Sequence, residues 1–476
     1  MYRFLTLFSA LFFTLFLSNQ SKAQENNQDT TQTVVTSQKN TTNKEDFENY
    51  TLEQCIEYAI QNRVEVKNAQ LDNQIAKAKV GEVRSIGLPQ VDASLSLLNN
   101  YKVPVNFLPA QILDPQAPEG TFVPVAFQPQ YGGQSQIQLQ QLVFSGSYLL
   151  GLKAASTFTQ LSEKQIVQSK IEVAEAVSKA YYSLLINRER LELLKQNFNR
   201  LDTVYQQTKA LYENGFAEKI DADRLKVASN NIKVEIQNFE RLIDLSKILL
   251  KFQMGLNQED NLTVSGTIDK LEISAADALV TKVNPENRIE YSLLQTQREL
   301  NLLQIREYKA RYLPTLGAFI NYGANMGSPQ ARDLVPFASD RWRANGAFGL
   351  SLNVPVFDSF QKHYLIQQEK FNLLKTENNM LNFNRIVDLQ VSQSQITLQN
   401  NIDKLNFQSE NMELAQEIFR VTKIKYEEGV GSNLEVVEAE TAYKEAQTNY
   451  YSALYDAMIA KIDLEKAKGT LYSEIK

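Results

Sequence analysis

Glu435 and Glu438 stand three residues apart just past Gly429 and Gly431, so on a helix their carboxylates share one face. Carboxylates brought together raise one another's pKa values and attract cations. The rest of the chain offers little other chemistry. It has a single histidine, His363, a single cysteine, Cys55, and no phosphate-binding glycine loop, so enzymatic, metal and cofactor classes are disfavoured. Cys55 has no partner for an intrachain disulfide, and its neighbours Leu52, Ile56 and Ala59 mark a plain core position.

The element that must carry these carboxylates is a run without glycine or proline over 359–428, ending in Tyr426-Glu427-Glu428-Gly429. As a helix it would be about 100 Å long. Such a rod needs partners. Spacings of four and three mark its seam: Val387, Val391, Ser394, Leu398, Asn401, Leu405, Gln408, Met412, Ala415, Phe419, Thr422 and Tyr426. This heptad pattern predicts left-handed supercoiling against a neighbouring helix.

Subtracting 214 gives a second seam: Val173, Val177, Ala180, Leu184, Asn187, Leu191, Leu194, Phe198, Leu201, Tyr205, Thr208 and Tyr212. Seven of the twelve pairs are identical, and Gly215 and Gly429 share the same offset where each rod must turn back. The chain is a tandem duplication. Return helices free of glycine and proline follow over 216–254 and 432–468.

At the start, Arg3, an apolar stretch over 4–17 and the small-residue site Ser21-Lys22-Ala23 read as a signal peptide over 1–23. Residues 24–46 are rich in Asn, Gln and Thr and read as a disordered leader. The chain has 49 basic and 55 acidic residues; without Arg3 and Lys22 the balance is 47 minus 55, or −8. Nucleic acid is excluded as a partner on that charge.

Each repeat opens with an amphipathic helix, predicted over 51–80 and 286–313. Period-two strands follow: Val91, Ala93, Leu95 and Leu97 alternate with polar residues, as do Ile137, Leu139 and Val143. The second repeat places strands at about 314–323 and 344–357, where Phe348, Leu350 and Leu352 alternate with Gly349, Ser351 and Asn353. A soluble sheet and a transmembrane barrel share this pattern. Strand length and the long connections over 101–133, with six of the twelve prolines, and 324–343 favour the barrel. Four strands cannot close one, so copies of the chain must pool theirs.

These residues resemble the TolC family of outer-membrane efflux and secretion channels. The resemblance spans both repeats, with its most family-like text at Tyr426-Glu427-Glu428-Gly429 and from Asn433 to Thr441, echoed at Tyr212-Glu213-Asn214-Gly215 and Ile220-Asp221. It implies a mostly α fold, with long hairpins forming an α-barrel tunnel and four strands per chain in a homotrimeric twelve-stranded β-barrel. It implies an outer-membrane location facing a large periplasmic part, contact with outer-membrane lipid, and passive conduction. Partners implied are a periplasmic adaptor and an inner-membrane transporter, proton-driven or ABC. Adaptor docking falls to the tips at Tyr212, Gly215, Gly429, Gly431 and Ser432.

Under threefold symmetry Glu435 and Glu438 would form a six-carboxylate ring at the periplasmic entrance. The family's gate latch of tyrosine, aspartate and arginine matches Tyr426 and Asp221, but Gly431 stands where the arginine would be. Either Lys423 or Lys425 substitutes, or the resting gate is looser. The layout becomes a first repeat over 47–254, a linker over 255–285 joining an equatorial segment, a second repeat over 286–468 and a tail over 469–476. The alternative is a periplasmic or surface coiled-coil structural or adaptor protein without a membrane barrel.

Overall fold

The computed structural model describes residues 46–266, 283–335 and 340–471. The signal peptide, nearly all of the leader and the centre of the linker lie outside the described residues. Among the described residues, Asp46 and Phe47 with Glu259–Asn261 form a small unit of their own, and the other described residues belong to the large one.

In chain order the strands are β1 (Asp46–Tyr50), β2 (Gln90–Asn99), β3 (Asn106–Pro109), β4 (Phe122–Val125), β5 (Tyr131–Phe144), β6 (Asn261–Val264), β7 (Thr315–Ser328) and β8 (Arg343–Asn353). The α-helices are α1 (Leu52–Asn62), α2 (Val64–Ser85), α3 (Gly146–Glu213), α4 (Lys219–Met254), α5 (Ile289–Ala310), α6 (Gln361–Glu427) and α7 (Asn433–Lys468). In the linker, residues 262–264 run beside 48–50, with the Asn49 amide donating to Thr263 Oγ1 at 2.9 Å.

Both rods form as single helices, of 68 and 67 residues, and each folds back on its return helix. The seams account for this pairing. All twelve seam residues of α6 are buried or half-buried, and of the twelve in α3 only Tyr212 is exposed. The seam asparagines fix register across each hairpin: Asn187 Nδ2 donates to Ser246 Oγ at 3.0 Å and Asn401 Nδ2 to the Asp456 carbonyl at 3.2 Å. Both return helices end at a left-handed glycine, Gly255 (φ 77°) and Gly469 (φ 79°), a conformation that costs a side chain energy.

The opening helix of the first repeat departs from the expected single span. It breaks at Arg63, which has extended dihedrals, and continues through Gly81 to Ser85. The second repeat breaks at Arg288 with nearly the same ψ. A repeated Asn-Arg-apolar-Glu text explains both breaks. Arg63 donates to the Phe252 carbonyl and pairs with Glu65 at 2.7 Å; Arg288 donates to the Ala467 carbonyl at 3.1 Å and pairs with Glu290 at 2.7 Å. Each arginine thus satisfies a carbonyl in the last turn of a return helix, where the helix leaves acceptors unfilled and its dipole favours a cation. The Cβ of an alanine at Gly469 would lie 3.0 Å from the Asn287 carbonyl oxygen. The glycine therefore serves close approach as well as turn geometry.

The strands form one four-stranded antiparallel sheet in the order β2-β5-β7-β8. β7 runs five residues beyond its expected end, whereas β8 stops at Asn353, short of Pro355, which has no amide hydrogen for a ladder. Register aligns Val91, Leu139, Ile320 and Phe348 across the sheet, and on the other face Asp92, Gln138, Asn321 and Ala347. The apolar face is bare: Phe348 is 86 % and Leu350 71 % exposed. The connection over 101–133 is not structureless, because β3 and β4 pair in it as a hairpin. No helix among the described residues is long and apolar enough to cross a membrane.

Burial works to raise the Glu290 carboxyl, but hydrogen bonds from Arg288 hold it below the usual glutamate range. Its pair therefore supports folding above the ordinary carboxylate pKa and is lost as pH falls through the depressed value. Arg288→Ala is expected to remove about 2 kcal/mol of stability at neutral pH, read by urea unfolding in detergent. The deficit should shrink on acidification, and an undiminished deficit at low pH would show that the ion pair contributes nothing.

Candidate functional site: the paired helical tips

The two tips close by the same hydrogen bonds. The Phe216 amide donates to the Leu211 carbonyl at 2.8 Å and the Val430 amide to the Lys425 carbonyl at 2.9 Å, while Gly215 and Gly429 take φ of 81° and 73°. This is the helix-ending motif that needs a left-handed residue. Nothing lies within 4 Å of a Cβ built at either glycine. Backbone conformation alone therefore dictates them.

Gly431 has a different constraint. A Cβ there would lie 3.0 Å from the Tyr426 nitrogen and 3.1 Å from Lys425 carbon atoms. A side chain at this point would require the neighbouring backbone to give by a few tenths of an ångström. Lys423 lies 3.6 Å from Glu427 on its own helix. Ser432 caps α7, its Oγ accepting from the Glu435 amide at 3.3 Å. Glu435 and Glu438 are both exposed in the first turns of α7, and Tyr212 is exposed at the other tip.

Tyr426 and Asp221 have separate partners. The Tyr426 hydroxyl pairs with Thr208 Oγ1 at 2.8 Å, and the Asp221 carboxylate faces Arg224 at 3.8 Å on its own helix. Tyr426 packs against the first hairpin's cluster of Leu201, Val204, Leu225 and Ile232 and against the second's cluster of Phe419, Val436, Ala439 and Tyr443. It is the apolar hinge pin between the tips.

Above Tyr426 the hairpins meet through a polar group that the sequence reading missed. Asn197 Nδ2 donates to Gln447 Oε1 at 2.7 Å, and Arg200 Nη2 donates to Asn197 Oδ1 and lies 3.7 Å from Glu440. The guanidinium stacks over Tyr443 at 5.2 Å and Phe419 at 5.6 Å. Further from the tips, Lys444 holds Glu235 at 2.9 Å, Lys466 holds Glu175 at 2.6 Å and Lys179 holds Asp463 at 2.6 Å. The signal for the buried group was present: Asn433, Val436, Glu440, Tyr443 and Gln447 are spaced three and four apart, and all are buried. They are a heptad seam on the return helix.

A sheet with a bare apolar face, carried on paired helical hairpins that end in conformationally matched tips, defines an outer-membrane channel fold. The profile of the outer membrane efflux protein family matches residues 55–256 and 286–470, and the chain belongs to that family. It is accordingly an outer-membrane protein. It is 19 % identical over 315 residues to the probable efflux pump outer membrane protein TtgC of Pseudomonas putida, covering 65 % of this chain and 63 % of that relative. Outer membrane protein TolC of Vibrio cholerae is 21 % identical over 342 residues, covering 70 % of this chain and 76 % of the relative. The fold is similar to the open state of the Neisseria gonorrhoeae MtrE outer membrane channel, with a TM-score of 0.67 at 15 % identity over 88 % of this chain and 89 % of that one.

The Thr208–Tyr426 hydrogen bond yields a direct test. Thr208→Val and Tyr426→Phe should each lower unfolding free energy by about 1 kcal/mol. The double variant should be no worse than either single one, measured by urea titration. Additive losses would mean that the two hydroxyls act independently.

Proposed function

We propose that three copies of this chain form a passive, non-catalytic conduit across the outer membrane, gated at the helical tips on the periplasmic side. The exposed apolar face of the β2-β5-β7-β8 sheet, with a polar face behind it, carries this reading. A membrane has no water to satisfy sheet edges, so β2 and β8 must pair with other copies. β2, β5, β7 and β8 have 10, 14, 14 and 11 residues, enough to cross a bilayer. Three copies bring twelve strands, a size at which bacterial barrels close.

On this arrangement the 1–23 signal peptide exports the chain, and the long hairpins line a periplasmic tunnel. The tips around Tyr212, Gly215, Gly429, Gly431 and Ser432 meet a periplasmic adaptor, which links the conduit to an inner-membrane transporter, proton-driven or ABC. The name of the Pseudomonas relative, an efflux pump component, supports a role in efflux. Glu435 and Glu438, exposed beside the tip, supply six carboxylates around the threefold axis. Asp221 and Tyr426 complete the gate region.

Cross-linking in the native envelope should give a trimer in the outer-membrane fraction; a periplasmic monomer would overturn the conduit. In planar bilayers the open channel should prefer cations, and Glu435→Gln with Glu438→Gln should bring the cation-to-anion permeability ratio close to one. Retained selectivity would remove the carboxylate ring from the mechanism.

A further inference from the structure

Glu440 is the one acidic residue in the buried seam of α7, only 3 % exposed, and neither carboxylate oxygen has a hydrogen-bond partner among the described residues. Its nearest cation, Arg200, is directed elsewhere: Nη2 donates to Asn197 Oδ1 and stands 3.7 Å from Glu440, too far for a direct hydrogen bond. The other charged groups around it are already engaged. Lys423 of α6 lies 3.6 Å from Glu427, and Lys444 of α7 holds Glu235 of α4 at 2.9 Å. From α4, Asp223 and Arg224 line the same groove of about 550 Å³ at the α4–α7 contact, and both are exposed to water. An ionised carboxylate in this position is desolvated and only partly compensated by the long Arg200 ion pair, whereas a neutral acid costs less.

Moving the second hairpin away from the first would separate α7 from α3 and hydrate Glu440. Building on the gated-conduit reading above, we propose that Glu440 is a proton-dependent lock: neutral, it lets the α7 seam close against Arg200 and Asn197, and ionised, it drives the two tips apart. Burial raises the Glu440 carboxyl above the usual glutamate range, and the nearby Arg200, Lys444 and Lys423 offset only part of that. The sign follows. The closed state holds the proton more tightly than the open one, so closure is fully supported below about pH 4.3, the ordinary glutamate value. It is lost as pH rises through the raised value. The lock lies about two helical turns into α7.

The test uses the full chain with spin labels at Glu213→Cys and Glu428→Cys, co-assembled with excess unlabelled chains so that only distances within one chain are read. Cys55 does not compete for label, since it is fully buried and its thiol is pushed up to about 12. Pulsed electron resonance between pH 4.5 and 8 should show the longer tip-to-tip distance growing with pH, the open-to-closed ratio changing by up to about tenfold per pH unit. Glu440→Gln, neutral and of the same size, should keep the short distance throughout. Glu440→Lys, facing Arg200, should give the long one. Wild-type distances that ignore pH, or a Glu440→Gln protein that keeps the wild-type response, would overturn the lock. Bilayer conductance on the same samples separates the two proposals. A distance response without conductance leaves the lock standing and removes the conduit, and conductance without a distance response does the reverse.

Discussion

Everything in this structure depends on how a helix of nearly seventy residues is kept in water. Such a helix gains little from propensity alone, and its stability comes from burying one stripe along its whole length. The heptad seam supplies that stripe, and the return helix covers it. The two hairpins are nevertheless held unequally. α3 is packed by α1, α2, α4, α5 and α7, whereas the α-helices that pack extensively on α6 are α5 and α7, with α3 touching it near the tip. The duplicated halves therefore have the same local design but different freedom. The second hairpin is the one with less to lose on moving, and its seam carries Glu440.

Duplication also explains how the hairpins are fastened at their upper ends. Asn62-Arg63-Val64-Glu65 and Asn287-Arg288-Ile289-Glu290 each place an arginine on the terminal carbonyls of a return helix. Stapling the start of a repeat to the end of its return helix leaves motion to the other end, where only side chains bridge the hairpins. Rigid fastening above and a few polar contacts below is what the proposed tip-gated conduit requires.

Much of this was legible in the sequence because helix and strand periods are read directly from apolar spacing. The seams, the turns at Gly215 and Gly429 and the four strands all follow from it. The Asn-Arg-apolar-Glu clamp escaped because its two copies are 225 residues apart, whereas the seams repeat at 214. The β3–β4 hairpin was hidden by prolines, which suggest irregular loop although Pro109 and Pro124 sit inside short strands. Glu440 was overlooked for a physical reason: a glutamate beside two exposed ones reads as surface. Only the three-and-four spacing of Asn433, Val436, Tyr443 and Gln447 around it marks that face as buried.

Charge is distributed unevenly along the chain, which in the proposed conduit separates transport from control. Across β2, β5, β7 and β8 the only charged side chains are Asp92 and Arg343. The polar face otherwise carries carboxamides, hydroxyls, small residues and Phe319, and along β5 the side chains of Gln134, Gln136 and Gln138 hydrogen-bond in succession. Such a surface is polar but nearly neutral, so in the proposed conduit it has little basis for discriminating cargo by charge. Ionisable groups concentrate instead on the hairpins: Glu435 and Glu438 exposed at the second tip, Glu440 and Arg200 buried above it. A carboxylate in water attracts cations, whereas one sealed in an apolar seam responds to protons. Six residues of one helix, 435–440, thus place both behaviours side by side; in the proposed conduit the exposed pair acts on what enters and the buried one on whether the tips part.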